Sequence, residues 1–401
     1  MLLKLAWRNI WRNTRRTLIT LAALTLGCGV IIGMQSYSES AYGRLIRDLT
    51  TQMVGHLQVH GKGWQAEPSL ENVVENPRIV EAAIAGSAPG AVSTRRVIGA
   101  GLAGSAQNSS GVMVLGLQPD RDDLLTVVRG EALDPAVHGR IALGSGVASM
   151  LEVEPGGEVV LVGQAADGSV ANDRYTVAAV VEAGSVEMSA TTVFLTLADA
   201  QDFFSLGEGV HQVIVRLPTD DEDISDHVAT MRAALDLHTL EALTWAQILP
   251  ELRATIDSKR SGLLWINIVV LLIVGLGVLN TMTMATFERT RELGVMMSLG
   301  TRRGRVLGLV VTESLLQGAL GFVLGAVLGI GVILAIGELH FGAVSTGDML
   351  GVRLPSTLPL HIKGSAVVGA GITALFTTLL GGLWPALRAS RLPPAEATRY
   401  V

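Results

Sequence analysis

His56, Gln58 and His60 alternate with Leu57 and Val59 in the stretch HLQVH, so on a strand the three polar side chains share one face. Paired imidazoles can ligate a metal, but a solvated strand face is the better reading here, and no metal is expected. No G-x-x-x-x-G-K-[ST] stretch occurs. Gly61, Lys62 and Gly63 lack the spacing and the hydroxyl residue that a phosphate cradle needs. H-E-x-x-H and G-x-S-x-G are missing as well. Nothing assembles a nucleophile, a base and an orienter, so the chain reads as non-catalytic, with no directly bound cofactor.

The most distinctive chemistry lies in residues 288–305, ERTRELGVMMSLGTRRGR, with five arginines and two glutamates. On a helix Leu293, Met296, Met297 and Gly300 fall at i, i+3, i+4 and i+7, which makes one apolar stripe. Gly300 and Thr301 suit a helix end followed by a turn. Each arginine costs ~2.5–3.5 kcal/mol at a bilayer centre, so five place the segment at or below a membrane surface. Two readings stay open on these grounds. The helix lies on anionic lipid, or it docks into a groove on a cytoplasmic partner.

The elements around this segment follow from composition. Hydrophobic residues make up 49% of the 401 and charged residues only 16%, which points to a membrane protein. Residues 17–38, 261–287, 314–337 and 364–387 contain no Asp, Glu, Lys or Arg. Each can cross a hydrocarbon core, which needs ~20 apolar residues. The first run exceeds the apolar part of a signal peptide and reads as an uncleaved span. Cys28 is the single cysteine, so no intrachain disulfide forms.

Charge sets the topology. Residues 1–17 carry Lys4, Arg8, Arg12, Arg15 and Arg16 and no acid, and the tail carries Arg388, Arg391 and Arg399. The 338–363 connection carries only Arg353 and Lys363 as basic residues. The positive-inside rule puts both termini and the 288–305 segment in the cytoplasm. Residues 39–257 hold 13 basic and 30 acidic residues, net −17, which leaves +11 on the rest of a chain of net −6. The balance fits export of an acidic outer domain; no nucleic-acid partner is expected.

That domain alternates strand-like runs at 56–60, 112–117, 158–163, 174–181, 191–197 and 210–217 with helical runs at 70–86, 144–152 and 221–238, a mixed α/β pattern. LEVEPGGEVVLV at 151–162 reads as a helix end, a Pro-Gly turn and a strand. The expected fold is four transmembrane α-helices with a large mixed α/β extracytoplasmic domain inserted between the first and second. The expected boundaries are an amphipathic helix at 1–16, spans at 17–38, 261–287, 306–337 and 364–387, and an outer domain at 39–260. Residues 288–305 are the cytoplasmic segment, 338–363 an outer loop and 388–401 the cytoplasmic tail. Glu313, about two turns into the third span, needs a partner or water there.

ERTRELGVMMSLGTRRGRVLGLVVTES resembles the signature of the FtsX-like permease family, and WPALRASRLPPAEATRY at 384–400 resembles that family's C-terminal signature. KLAWRNIWRNTRRTLIT and GHLQVHGKGW resemble its lipoprotein-releasing branch (LolC/LolE). The resemblance implies the permease of an ABC transporter of the mechanotransmission type in the bacterial inner membrane. Two permeases, identical or paralogous, pair with two ATPase subunits that bind ATP and Mg2+. Glu288, Arg289, Arg291, Glu292, Gly294, Val295, Met296, Leu299, Gly300 and Arg302 then form the ATPase-coupling helix and its flank. Relatives that export macrolides carry the ATPase at their N-terminus; here it is expected on a separate polypeptide. A β-rich insertion is implied at roughly 100–190. Gly33, Met34, Asn280 and Met282 are implied as a lipid cavity or dimer interface; Gly27, Gly29, Gly275 and Gly277 suit close helix approach. The implied function is extraction of lipoprotein from membrane lipid toward a periplasmic carrier. The alternatives are a signalling subunit that regulates cell-wall hydrolases, or an exporter of drugs or peptides.

Overall fold

A computed structural model describes residues 2–219, 224–340 and 357–391. The expected loop around Arg353, the tail beyond Arg391 and the first residues of the 221–238 helix lie outside these. The described residues form two compact units, one of residues 2–42, 255–340 and 357–391, the other of 43–219 and 224–254.

The first unit is helical. α1 (Leu2–Ile10) passes through a 3-10 turn into α2 (Thr14–Asp48), which ends in a π-helical turn at Leu49–Met53. The first expected span, 17–38, is therefore the middle of a helix that continues to Met53. Among the described residues four helices are long and apolar enough to cross a membrane. They are the α1–α2 helix and three that follow the outer unit, which holds α3 to α8: α9 (Pro250–Glu288), α11 (Arg303–Ile336) and α12 (Gly364–Arg391). Small residues let these helices approach closely. A Cβ on Gly321 would strike Leu24, and one on Gly325 would meet Cys28 Cβ and the Thr25 carbonyl. Gly318 and Gly382 of α11 and α12 face Thr378 and Ser314 in the same way. Gly27 abuts Val274 and Gly275 abuts Thr377, whereas Gly33 and Gly277 face open space.

The second unit is a mixed sheet with helices on it. Its elements are β1 (Leu57–Gly61), α3 (Pro77–Ser87), β2 (Val92–Gly104), β3 (Ser109–Leu117), β4 (Thr126–Gly130), β5 (Arg140–Gly144), α4 (Ser145–Leu151), β6 (Glu158–Gln164), β7 (Val170–Glu182), α5 (Val186–Thr191), β8 (Thr192–Thr196), α6 (Leu197–Phe203), β9 (Gln212–Arg216), α7 (Ser225–Ala234), β10 (Leu240–Thr244) and α8 (Trp245–Ile248). The strands run in the order β10-β1-β9-β2-β3-β8-β5-β7-β4. β6 bridges β2 and β7, so β2, β3, β8, β5, β7 and β6 close into a ring. Its pairings lie between Val97 and Thr196. Leu151 ends α4, Glu152 takes a left-handed φ of 54° and Gly156 turns the chain into β6.

The solvated face expected for His56, Gln58 and His60 is corrected. β1 lies between β10 and β9, and all five of its residues are buried. Gln58 and His60 pair with each other there, while His60 Nδ1 lies 3.7 Å from Glu241 Oε1 with no hydrogen bond. Gln58 Nε2 donates to the Val54 carbonyl at 2.7 Å, and His60 Nε2 lies 2.9 Å from Gln58 Oε1. Trp64 packs on the His60 ring at 4.8 Å between centroids. The imidazole of His56 accepts the Leu217 amide at 3.1 Å.

Candidate coupling site

The 288–305 segment is a short helix between two long ones. α9 ends at Glu288, Arg289 breaks the helix with φ −105° and ψ 7°, and α10 (Thr290–Ser298) follows. The expected end at Gly300 is present as a Schellman motif. Gly300 has φ 94°, its amide donates to the Met297 carbonyl at 3.1 Å, and the Thr301 amide donates to Met296 at 3.0 Å.

The segment has the expected helical period, but its faces divide differently. Leu293 is buried and packs with Val306 of α11, with Met296 and Met297 against them. Gly294 is buried too. That stripe fastens α10 to its own chain. The exposed face carries Arg291, Val295, Ser298 and Leu299, the last 82% exposed, with Gly300 and Arg302 beyond. These positions recur at i, i+4, i+7 and i+8, a second stripe on the helix.

The charged residues also divide. Arg289 points inward, where Nη1 meets Glu313 Oε2 at 3.0 Å and Oε1 at 3.2 Å. Asn9 Nδ2 donates to Glu313 Oε1 at 2.6 Å. Glu313 therefore has its partner, and Arg289, expected in the coupling helix and its flank, spends its Nη1 on this inner carboxylate. Glu292 accepts from Arg12 at 2.9 Å, and Glu288 takes both Nη atoms of Arg16 at 2.6 and 2.8 Å. The Arg12 hydrogen bond holds the Glu292 carboxyl below its usual range.

Magnitudes rank these pairs. Arg12 and Glu292 are about half exposed, and such surface pairs contribute ~0–1 kcal/mol. Glu313 is 8% exposed at its side chain, and an uncompensated charge there costs several kcal/mol. The inner pair holds α10 in place; the outer pairs set the register of the N-terminal helix beside it. Sequence reasoning missed Asn9, Arg12 and Arg16 as partners. The signal was present: Arg12 and Arg16 are four apart, as are Glu288 and Glu292, a spacing that antiparallel helix ends can match.

A polar cavity of about 170 Å3 lies beside these pairs, lined among others by Asn9, Arg16, Thr20, Thr281, Arg289 and Gln317. It is large and polar enough to hold water. Met282 also lines it and is buried with Leu24 and Val278. Met282 is thus a core residue, while Met34 and Asn280 are exposed.

Residues 265–394 match the FtsX-like permease C-terminal family and residues 17–234 match the MacB-like periplasmic core domain. The chain belongs to the FtsX-like permeases with a MacB-like periplasmic core domain, which are multi-pass membrane proteins of ABC transporters. It is 26% identical over 419 residues to the pyoverdine export ATP-binding/permease protein PvdT of Pseudomonas aeruginosa, covering 98% of this chain and 57% of that one. It is 24% identical over 427 residues to the macrolide export ATP-binding/permease protein MacB of Hahella chejuensis, covering 98% and 59%. The chain therefore spans a little over half the length of these relatives. The crystal structure of the periplasmic region of MacB from Actinobacillus actinomycetemcomitans aligns with TM-score 0.37 at 13% identity, covering 53% of this chain and 95% of that one. The relatives are named for export rather than for lipoprotein release. GHLQVHGKGW, which suggested the lipoprotein-releasing branch, builds β1 and the Trp64 turn of the core, a role that says nothing about cargo.

Proposed function

We propose that this chain is the membrane-spanning subunit of an ATP-driven exporter of the mechanotransmission type in the bacterial inner membrane. Its four long helices cross the bilayer, the outer domain sits between the first and second spans, and both termini are cytoplasmic. Two ATPase units bind ATP and Mg2+ and push on α10 of this chain and of a second permease. The observation that carries this reading is the form of α10. An exposed stripe of Arg291, Val295 and Leu299 stands on a base fixed inside the chain by Leu293, Val306 and the Arg289–Glu313 pair. A helix merely lying on lipid needs no such rigid base.

Export of a small molecule is the first reading of the cargo, in line with the names of the relatives that span the chain. Release of a lipid-anchored protein to a periplasmic carrier is the second. It is favoured by α9, whose Leu264, Trp265, Leu272, Ile273 and Leu276 are all exposed and offer an apolar face to acyl chains. Reconstitution with the ATPase in liposomes tests both. ATP turnover stimulated by the chain, with efflux of a macrolide or siderophore, supports export; release of a labelled lipoprotein supports the second reading. An ATPase that neither binds the chain nor responds to it overturns the proposal.

A further inference from the structure

α2 does not simply end where the outer unit begins. It runs on to Met53, and residues 43–53 cluster with the outer unit. A helix C-terminus leaves its last four carbonyls unpaired and carries partial negative charge. Three consecutive carbonyls here are taken by two guanidinium groups of adjacent strands. Arg96 of β2 donates from Nη1 to the Met53 carbonyl at 2.6 Å and from Nη2 to Gln52 at 3.3 Å. Arg216 of β9 donates from Nη1 to Thr51 at 3.0 Å.

Arg96 is itself fixed. Its Nε and Nη2 meet Asp122 Oδ2 and Oδ1 at 2.7 and 2.8 Å, a bidentate pair. The two side chains are only 6% and 1% exposed. A lone helix cap does not require a carboxylate of its own; this one makes four hydrogen bonds from the five donors of a guanidinium and ties helix end, strand and loop together. Gly184 leaves room for Met53, since a Cβ there would sit 2.6 Å from Met53 Cγ. Met53 packs beside the cluster of Leu115, Leu117, Leu124 and Phe194.

The return to the membrane is built otherwise. α9 is reached from β10, an edge strand whose pairing among the described residues is with β1. Between them stand the four-residue α8 and the non-helical Leu249, with φ −118° and ψ 64°. The first residues of α9 are mostly exposed, with Arg232 holding the Ala242 carbonyl and Gln247 and Arg253 lying over Trp245, whereas Leu49 and Thr50 at the end of α2 are buried.

We propose that Arg96 and Asp122 form the rigid joint that delivers movement of α2 to the outer domain. The part of this that concerns ATP-driven movement rests on the transporter reading; the rigidity of the joint does not.

The test uses the full chain in lipid nanodiscs, with Cys28→Ala and spin labels at Gln52→Cys and Ser149→Cys, both exposed positions of the outer unit. The joint is replaced as a pair, Arg96→Met with Asp122→Leu, because swapping a buried ion pair for apolar residues preserves stability better than removing one partner. The control is the neighbouring pair on the same strand, Arg95→Met with Glu81→Leu, which ties β2 to α3 and not to α2. We expect one narrow distance distribution in the native chain and the control, and a broad one in the joint variant, with the melting temperature of the outer domain retained. A distribution as narrow as the native one in the joint variant overturns the proposal. With the ATPase added and the labels placed instead at Val327→Cys of α11 and Ser149→Cys, an ATP-driven change in this distance is lost in the joint variant while ATP turnover continues; a change at the native level overturns the proposal. No displacement in the native chain contradicts the transporter reading instead, and the distribution widths still decide the joint.

Discussion

Arg289 and Glu313 face each other at 3.0 Å, joining the break between α9 and α10 to the third turn of α11. The contact turns two sequence liabilities, an arginine and a carboxylate beside apolar helices, into one support for the exposed face of α10.

Removing one partner should therefore cost more than removing both. Glu313→Ala leaves the Arg289 charge inside, where breaking a buried pair costs about 3–5 kcal/mol. The effect should fall at the low end, because Arg289 keeps 15% of its side chain exposed. Arg289→Met with Glu313→Leu should recover most of the loss. Thermal unfolding in detergent measures both.

Leu299→Asp should leave folding intact, since the side chain is 82% exposed, yet prevent the ATPase from copurifying. Leu293→Asp should fail at an earlier stage, in folding, because Leu293 is buried against Val306. Circular dichroism and size exclusion separate the two defects.

Gly325→Val should lower the melting temperature, as its Cβ would meet Cys28 and the Thr25 carbonyl, whereas Gly331→Val, with nothing within 4 Å, should not. Equal effects would mean that α2 and α11 are not in close contact.

The outer domain should weaken in acid through His60. Burial, partly offset by Glu241, lowers this imidazole to about 4, below the ~6.5 of an unfolded histidine. The unfolded chain thus binds the proton more tightly. The contribution is complete above pH ~6.5 and is lost as pH falls toward 4, with a ceiling of roughly 3 kcal/mol. His60→Gln should flatten that part of the profile in denaturant titrations. His138 works in the opposite sense. Its hydrogen bond to Asp199 raises its pKa, so its contribution is present below the unfolded value and is lost as pH rises through the raised one.

The helices were legible because run length is a direct physical requirement of a bilayer. Their ends were not, since α2 continues through Glu39, Arg44 and Arg47 on packing that composition cannot show. β2 was missed for a related reason. Its Gly99 and Gly101 have low strand propensity, but at Gly99 the outer end of the Phe204 ring meets the strand, and a Cβ would strike that ring. β1 was visible as a strand, yet alternation could not reveal neighbours on both sides. The stripe on α10 was visible as a period; which of two stripes faces inward depended on Val306, nine to thirteen residues away in sequence.

The central claim is that α10 receives the push of an ATPase. A photo-crosslinking residue placed at Leu299, with Leu293 as the inward control, tests it in membranes containing the ATPase. The account predicts an ATP-sensitive adduct between position 299 and the ATPase and none from position 293. Adducts to lipid alone from position 299 would contradict it and make α10 a membrane-surface helix.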